Sequence, residues 1–470
     1  MTVKQAGNEN GFVFPEGFCV GFAREDVTPS LPYHNFSGAV STEFRDPITA
    51  TVVALSDGED AVLICSADIR AADPKLTDMF KSAALENFGI PKDHVILNVT
   101  HNHNGPDIGN KYDEIYAWYD YMQTVIPQLI RNALQDLTPA TAFGGKSYTK
   151  DLNFVRRYLM DDHTWEMNPT YPQRFSVIAP ESKADNEMRV IKFAREGKKP
   201  VCLVNWQCHA ASAHASTFHS GPTGHLATAD FVHKFREGAE KEFDILFAFQ
   251  QGAGGNLVAA HRHAELSACR REARPDEHPY EAHGRLLVPV LGEALKNLEP
   301  LNTGKLRVNH KDIFMAYKQL DPQTIENAKT YWELDLPRSD PQKVALLKKF
   351  GLEHYECNCI IKIVRSLPET GRACPFTAIS FGDVGIATAP YEMFDQNGIE
   401  VRSASPYKMT FTLGYTDDAN SYIPTYWAFI HGSYEAYSCM FEVGTGEKRA
   451  NDLVHMLLEN YLLDNPPAKD

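Results

Sequence analysis

Five short apolar runs rich in β-branched residues recur in the first half of this chain, and two segments of helical periodicity lie between them. Such runs are typical of strands buried on both faces of a sheet. The segments 74–89, which Asp73 and Gly89 delimit, and 112–136 predict helices. Strands that alternate with helices indicate a layered α/β domain. The predicted strands are residues 48–55, 61–68, 94–101, 201–209 and 244–251.

The second half of the chain continues the alternation. Helices are predicted at about 229–242, 281–297, 321–335, 391–404 and 446–463. Strands are predicted near 306–317, 357–366, 376–390 and 408–415. We therefore predict an α/β fold in which mixed sheets are flanked by helices, built as a single domain over residues 1–470 with a poorly ordered arm at 1–15. A domain boundary near 300–340 is the alternative.

Composition narrows the class of protein. The 470 residues are 43% apolar, which is enough for a substantial core, and the formal net charge is -15. The chain has no run of Lys and Arg long enough to follow a phosphate backbone, so we do not expect nucleic acid as a partner. We expect a small-molecule substrate instead. The chain has no apolar leader region and no stretch of the roughly 18 apolar residues that a membrane helix needs. Nine cysteines, several of them in apolar runs, fit a reducing compartment, so we expect a cytoplasmic protein. The oligomeric state is left open.

Two of the predicted strands end in histidine. His101 and His103 close the first, at a spacing that points both side chains the same way in a strand, and His209 closes the second. A buried apolar strand has little reason to end in an imidazole unless the ring meets a partner. Neutral imidazoles held on rigid elements are typical zinc ligands. The alternative is a pair of polar residues that cap a sheet edge.

Other familiar motifs are absent. Neither H-E-x-x-H nor G-x-S-x-G occurs, and the glycines of residues 252–257 lack the third glycine of a dinucleotide fingerprint, so we interpret them as a tight loop. His214, His219 and His225 lie in a polar loop and are interpreted as loop residues rather than ligands. The polar stretch 261–285 is either a lid or a solvated excursion.

Several short motifs resemble, in the same order, motifs of the neutral/alkaline ceramidases. Residues 100–106, T-H-N-H-N-G-P, resemble the family's T-H-T-H-S-G-P, and residues 205–209, N-W-Q-C-H, resemble its N-W-x-x-x-H with one residue fewer. The resemblance covers roughly residues 18 to 465 and corresponds to the catalytic domain of that family. The other matching segments are Ser66-Ala67-Asp68, Arg156 at the position where an N-R motif is expected, Thr228-Ala229-Asp230, Pro390-Tyr391-Glu392 and Ser421-Tyr422-Ile423-Pro424-Thr425.

The resemblance implies a Zn²⁺ site formed by His101, His209, Glu392 and Tyr422. From the residues alone, Glu392 has an alternative as a first-turn acid that faces a helix dipole. Tyr422 has an alternative as a core tyrosine with a hydrogen-bonded hydroxyl. The resemblance raises both residues above these alternatives.

Three further residues are candidates for catalysis. We expect His103 to act as general acid/base or to hydrogen-bond a developing oxyanion, and Arg156 to supply positive charge against that oxyanion. Asp230 is expected to orient a histidine ligand. With the zinc site that the resemblance implies, they predict a zinc-dependent hydrolase that uses metal-activated water on an amide or ester bond.

The chain departs from the family pattern where the family's proposed serine lies. Residues 250–256, Q-Q-G-A-G-G-N, contain no serine, which favours direct attack by water and a substrate other than ceramide. The ceramidases' immunoglobulin-like C-terminal domain and secretion signal are also not found. One alternative is a zinc hydrolase or lyase that acts on a sugar or cyclitol metabolite, which the polar residues 210–228 favour. Another is a metal-binding protein without catalysis.

Overall fold

The computed structural model describes residues 13–36, 39–169, 176–213, 225–259 and 266–467. Residues 1–12 of the predicted arm lie outside the described residues, as do His214 and His219. Within the described ranges, no helix is both long enough and apolar enough to cross a bilayer.

A nine-stranded mixed sheet forms the centre of the first half of the chain. Its order is β8-β7-β6-β5-β1-β2-β3-β4, and β9 pairs with β5. The pairs β3–β4 and β7–β8 are parallel, and the other pairs are antiparallel. The strands are β1 (Cys19–Asp26), β2 (Thr49–Ser56), β3 (Ala61–Ala67), β4 (Val95–Val99), β5 (Thr138–Tyr148), β6 (Glu187–Arg195), β7 (Val201–Trp206), β8 (Leu246–Gln251) and β9 (Glu299–Leu301).

A second sheet packs against the first. It has the order β10-β11-β12-β14, and the strands β13 and β15 form a parallel pair of their own. Apolar side chains from both sheets, such as Val53 and Ile191 from the first and Ile379 and Phe411 from the second, form one buried layer between them. The strands are β10 (Arg307–Ala316), β11 (Gly371–Phe381), β12 (Val384–Thr388), β13 (Tyr391–Met393), β14 (Met409–Leu413) and β15 (Asn420–Ile423).

Helices cover the outer faces of both sheets. Helices α1 and α2 bury one apolar cluster against the first sheet, and helices α3 and α5 bury another. Helices α8, α9 and α12 cover the second sheet. The result is an α/β fold with mixed sheets flanked by helices, as the sequence predicted. The helices are α1 (Pro74–Phe88), α2 (Asp113–Gln135), α3 (Asp230–Phe243), α4 (Ala268–Arg271), α5 (Pro279–Lys296), α6 (Pro322–Glu333), α7 (Pro341–Phe350), α8 (His354–Ser366), α9 (Asp395–Ala404), α10 (Tyr426–His431), α11 (Ser433–Ser438) and α12 (Thr445–Asp464).

Short elements complete the chain. A 3-10 turn covers Lys92–His94, and the remaining short strands form one three-stranded sheet and three two-stranded pairs. Part of the polar stretch 261–285 is helical, in α4 and the start of α5. These short strands are Tyr33–His34, Val40–Ser41, Glu43–Phe44, Phe154–Val155, Arg157–Met160, Trp165–Met167, Val177–Pro180, Leu226–Ala227 and Leu257–Val258.

Two of the predicted elements were wrong. The strand predicted at 357–366 is helix α8, which begins with a reciprocal capping box between Glu353 and Glu356 and buries Cys357 and Ile360 on one face. The strand predicted at 376–390 is a hairpin, because Gly382 adopts a φ of +55° between β11 and β12. The capping residues outweigh the apolar run in the first case.

Candidate metal centre

Three histidine rings converge at one end of the first sheet. The side-chain nitrogens of His101, His103 and His209 all lie within 4.8 Å of one another, and this group could hold a metal ion. The Nε2 atoms of His101 and His103 are 3.1 Å apart. The Glu392 carboxylate joins them, because its Oε2 lies 3.3 Å from the Nε2 of His101 and 3.3 Å from the Nε2 of His209.

His101 reaches this group through a turn. Strand β4 ends at Val99, two residues earlier than His101, and His101 itself has a φ of +61°. Few non-glycine residues adopt this left-handed conformation, and those that do cluster at functional sites. The alternating strand geometry that we expected for His101 and His103 is therefore wrong, and the turn brings the two rings together instead.

Backbone carbonyls fix the orientation of both buried histidines. The Nδ1 of His101 lies 2.7 Å from the Arg70 carbonyl, and the Nδ1 of His209 lies 2.8 Å from the Gly254 carbonyl. A carbonyl only accepts, so each Nδ1 carries a proton, and in a neutral ring the Nε2 then presents a lone pair. Burial, together with the charge of Arg156, lowers the pKa of His209 to about 4, which keeps this ring neutral.

The carboxylate of Glu392 meets these lone pairs. Its Oε2 is buried and has no hydrogen-bond partner among the described residues, although it is 3.3 Å from both Nε2 atoms. In the neutral rings neither Nε2 carries a proton, so in that state these contacts are not hydrogen bonds. Three electron-donating atoms that face one another in a buried site fit a cation between them.

A phenol completes the group. Glu392 on β13 and Tyr422 on β15 are direct partners in the strand register, which sets their side chains next to each other. The Tyr422 hydroxyl lies 3.4 Å from the Nε2 of His209 and is buried. Burial raises the pKa of this phenol well above its ordinary value, and the charge of Arg156 opposes that rise. Two imidazoles, a carboxylate and a phenol form a nitrogen and oxygen donor set that could hold a metal ion.

Arg156 lies behind Tyr422 and His209. Its guanidinium donates to Glu435 at 2.8 Å and to the Gly255 carbonyl at 2.8 Å, and it lies 5.1 Å from the centre of the Tyr422 ring. Its Nη1 is 3.4 Å from the Nε2 of His209. The guanidinium of Arg156, which we expected to stabilise an oxyanion, therefore faces His209 and Tyr422, two of the residues predicted to bind metal.

His103 occupies the more open side of the group. Its backbone N–H donates to the Ala210 carbonyl at 3.0 Å. Its ring meets the Phe36 ring edge to face, with centroids 5.2 Å apart. The ring is half-buried, whereas those of His101 and His209 are buried. His103 is therefore placed either to bind metal or to reach a substrate.

Asp230, which we expected to orient a histidine ligand, contacts backbone N–H groups. This residue begins helix α3 with a φ of +54°, and its carboxylate accepts from the backbone N–H groups of Ala213 and Phe231 at 2.6 and 2.7 Å. Burial raises its pKa to about 7. The carbonyls that hold both histidine Nδ1 atoms perform the orienting role, so Asp230 instead fixes the loop that follows His209.

Sequence reasoning missed Gln251. Its side-chain amide donates to the carbonyl of Thr100 at 3.2 Å and to the carbonyl of Cys208 at 2.5 Å, and each carbonyl directly precedes a histidine of the group. Gln251 thereby ties together the two turns that present His101 and His209. A polar residue at the end of the apolar strand β8 is the same signal that singled out the histidines.

The glycine loop after β8 brings the parts of the site close. The Gly255 N–H donates to the Met393 carbonyl at 2.8 Å, and a side chain at Gly255 would lie 2.5 Å from the Glu392 carbonyl oxygen. The interpretation of residues 252–257 as a tight loop is confirmed, and what the loop approaches is strand β13.

One cavity opens beside the group. It has a volume of about 140 Å³, and its walls include His101 and Glu392. Tyr415 also contributes, with its ring centroid 4.3 Å from that of His101. The other described residues of the wall are Arg70, Ala71, Ala72, Lys362, Tyr391, Asp418, Ala419, Asn420 and Ser421.

Comparisons with known proteins find a likeness in structure only. No protein-family model matches the chain, and no curated protein matches it in sequence. The structure of neutral ceramidase from Pseudomonas aeruginosa matches with a TM-score of 0.69 at 15% sequence identity, over 97% of this chain and 76% of that one. The chain has the neutral ceramidase fold.

A second solved structure agrees. A ceramidase complexed with C2 matches with a TM-score of 0.66 at 16% identity, over 97% of this chain and 77% of that chain. The resemblance to the ceramidases that the motifs indicated is therefore confirmed at the level of the fold. The neutral ceramidase fold here carries the histidine group at one end of its larger sheet.

Proposed function

We propose that this protein is a zinc-dependent hydrolase that cleaves an amide or ester bond. The observation that carries the proposal is the contact between Glu392 and the two histidines, in which a buried carboxylate oxygen lies 3.3 Å from the Nε2 of each ring while a backbone carbonyl holds each Nδ1. His101, His209, Glu392 and Tyr422 would hold the ion. When bound, zinc supplies an acidified water and polarises a carbonyl oxygen.

The chain's own residues provide the other requirements of hydrolysis. His103, whose Nε2 lies 3.1 Å from that of His101, would hold a proton at Nε2 and deliver it to the leaving group. Arg156 would keep Tyr422 and His209 in position through its bonds to Glu435 and Gly255. The carbonyls of Arg70 and Gly254 would keep both ligand histidines in the tautomer that presents Nε2.

The cavity favours a polar substrate over a lipid. No aliphatic side chain larger than alanine lies among the described residues of its wall, whereas arginine, lysine, aspartate, asparagine and serine do. An acyl chain would find little apolar surface there. This observation supports the second candidate, a zinc hydrolase or lyase that acts on a polar metabolite. A metal-binding protein without catalysis is the third, and it requires a closed coordination shell.

Metal content tests the proposal. We expect purification without chelators to yield about one zinc per chain by mass spectrometry, since deprotonated ligands that converge in a folded site bind zinc tightly. His209→Ala should lose the ion, and Tyr422→Phe should hold it more weakly.

The exposed His455→Ala serves as the control, and it should keep the wild-type zinc content. Wild-type protein without zinc, or unchanged zinc in both site variants, would contradict the site. If zinc is bound but small amides, esters and sugar derivatives all remain uncleaved, the non-catalytic candidate gains support.

A further inference from the structure

Two cationic side chains line the cavity beside His101 without an ion pair. Arg70 and Lys362 both contribute to its wall, and neither forms a salt bridge within the part of the chain that the structure describes. The Arg70 guanidinium lies 3.5 Å from the centre of the Phe36 ring, which holds it in place. Unpaired cations at a cavity are notable in a chain whose net charge is -15.

Buried polar atoms in the same wall also have no partner. The Tyr415 hydroxyl is buried, lines the cavity and has no hydrogen-bond partner among the described residues. The same holds for the Nε of Arg70. A buried donor without a partner carries a substantial free-energy cost, and a ligand that accepts from it removes that cost.

The acids of the wall do not neutralise these cations. Asp418 pairs with Arg372 at 2.6 Å, and Glu392 faces His101 and His209. The cavity therefore presents two unpaired positive charges and the Tyr415 hydroxyl to whatever enters it.

We propose that Arg70, Lys362 and Tyr415 form a subsite for an anionic group of the substrate. The inference rests on the proposed function, because the subsite would hold the anionic group of the substrate beside the bond to be cleaved. That bond would lie at the end of the cavity formed by His101 and Glu392. A carboxylate or a phosphate has the required chemistry, since both accept charge-assisted hydrogen bonds from guanidinium and ammonium groups. The substrate class is then a small amide or ester that carries an anion.

Binding of matched probes tests the subsite. The probes are N-acetylglycine, which carries a carboxylate, and N-acetylglycinamide, which has nearly the same shape without the charge. We expect the full-length protein to bind N-acetylglycine at least tenfold more tightly by calorimetry at pH 8. Lys362→Met and Arg70→Met should remove this preference, and Lys362→Arg should retain it.

Two controls separate the subsite from the metal. The exposed Lys348, which does not line the cavity, gives the matched variant Lys348→Met, which should keep the preference. His209→Ala should keep it as well, because the cations remain when the metal ligand is lost. A preference that disappears in His209→Ala but survives in Lys362→Met would overturn the subsite and assign the carboxylate to the metal.

Two further outcomes have defined meanings. Equal binding of both probes, or binding of neither, would overturn the subsite while leaving the measured zinc content, and hence the proposed metal site, unaffected. Competition by inorganic phosphate at lower concentration than N-acetylglycine would assign the subsite to a phosphate, and weaker competition would assign it to a carboxylate. Circular dichroism on Arg70→Met and Lys362→Met would verify that both variants fold.

Discussion

The carboxylate of Glu392 is the residue on which the candidate site depends. It is buried against two imidazoles that, as neutral rings with the proton on Nδ1, cannot donate to it, so the same contact that suits a cation is unfavourable without one. The resemblance of the motif P-Y-E predicted Glu392 from the sequence. The orientation of the two histidine rings beside it depends on the carbonyls of Arg70 and Gly254, and no sequence motif marks those two residues.

Replacing Glu392 with glutamine separates its effect on the stability of the metal-free protein from its effect on zinc affinity. An amide N–H can donate to a histidine Nε2, whereas a carboxylate cannot, so Glu392→Gln should be at least as stable as the wild type after chelation. Its zinc affinity should fall by more than about 100-fold, which exceeds the loss typical of an outer contact.

Thermal unfolding with and without chelator, together with zinc titration, measures both effects of Glu392→Gln. A variant that is less stable than the wild type in chelator would show that the contacts of Glu392 are ordinary hydrogen bonds.

A second buried histidine should make the protein sensitive to acid. Burial lowers the pKa of His283 from 6.5 to about 3, in a site packed against Trp206 and Phe231. Between these values the unfolded chain binds a proton that the folded chain does not, so stability is lost as the pH falls below 6.5. At pH 5.5 the loss is about 1.4 kcal/mol relative to neutral pH.

His283→Phe removes that proton, so its free energy of unfolding should fall by about 1.4 kcal/mol less than that of the wild type between pH 7.5 and 5.5. Urea unfolding at both pH values provides the measurement. The exposed His455→Phe should follow the wild type. Parallel pH dependence in His283→Phe and the wild type would mean that His283 is protonated in the folded protein.

At the scale of elements, the ends of strands carry the site. Strands β4, β7 and β8 each lead into a turn that presents His101, His209 or the Gly254 carbonyl. Apolar runs that end in polar residues predicted that His101 and His209 belong to the site. The sequence misled where capping and turn chemistry decide the outcome, as with the helix that Glu353 and Glu356 begin and the hairpin at Gly382.

The glycine loop after β8 should tolerate no side chain. A Cβ at Gly255 would lie 2.5 Å from the Glu392 carbonyl oxygen, which is backbone and cannot move aside without displacing β13. Gly255→Ala should therefore cost about 1–3 kcal/mol of stability, as overpacking typically does. It should also weaken zinc binding, because Glu392 moves with the strand.

Gly109→Ala is the matched control for chemical denaturation, since its Cβ would meet nothing closer than 3.8 Å. We expect it to unfold at the wild-type denaturant concentration. Equal stability of Gly255→Ala and Gly109→Ala would contradict the close approach of the loop to β13.

At the scale of the whole molecule, two packed sheets with helices on both outer faces create one edge at which distant parts of the chain meet. The side chain of Asn98 on β4 accepts from the Gln251 N–H at 2.7 Å and donates to the Gly414 carbonyl at 2.7 Å, which joins strands from both ends of the first sheet to the second. The alternation of strands and helices predicted the layers. No local pattern predicts Tyr415 or Arg70 in the cavity, because their positions follow from how the sheets pack.

This gathering of distant residues also affects synthesis. His101 and Tyr422 are separated by 321 positions in the chain. A ribosome adds about 5–20 residues per second, so both histidines leave it well before the carboxylate and the phenol that complete the group. A nascent chain therefore has an incomplete donor set until Glu392 and Tyr422 have both emerged, so a metal ion could not meet all four proposed ligands before then.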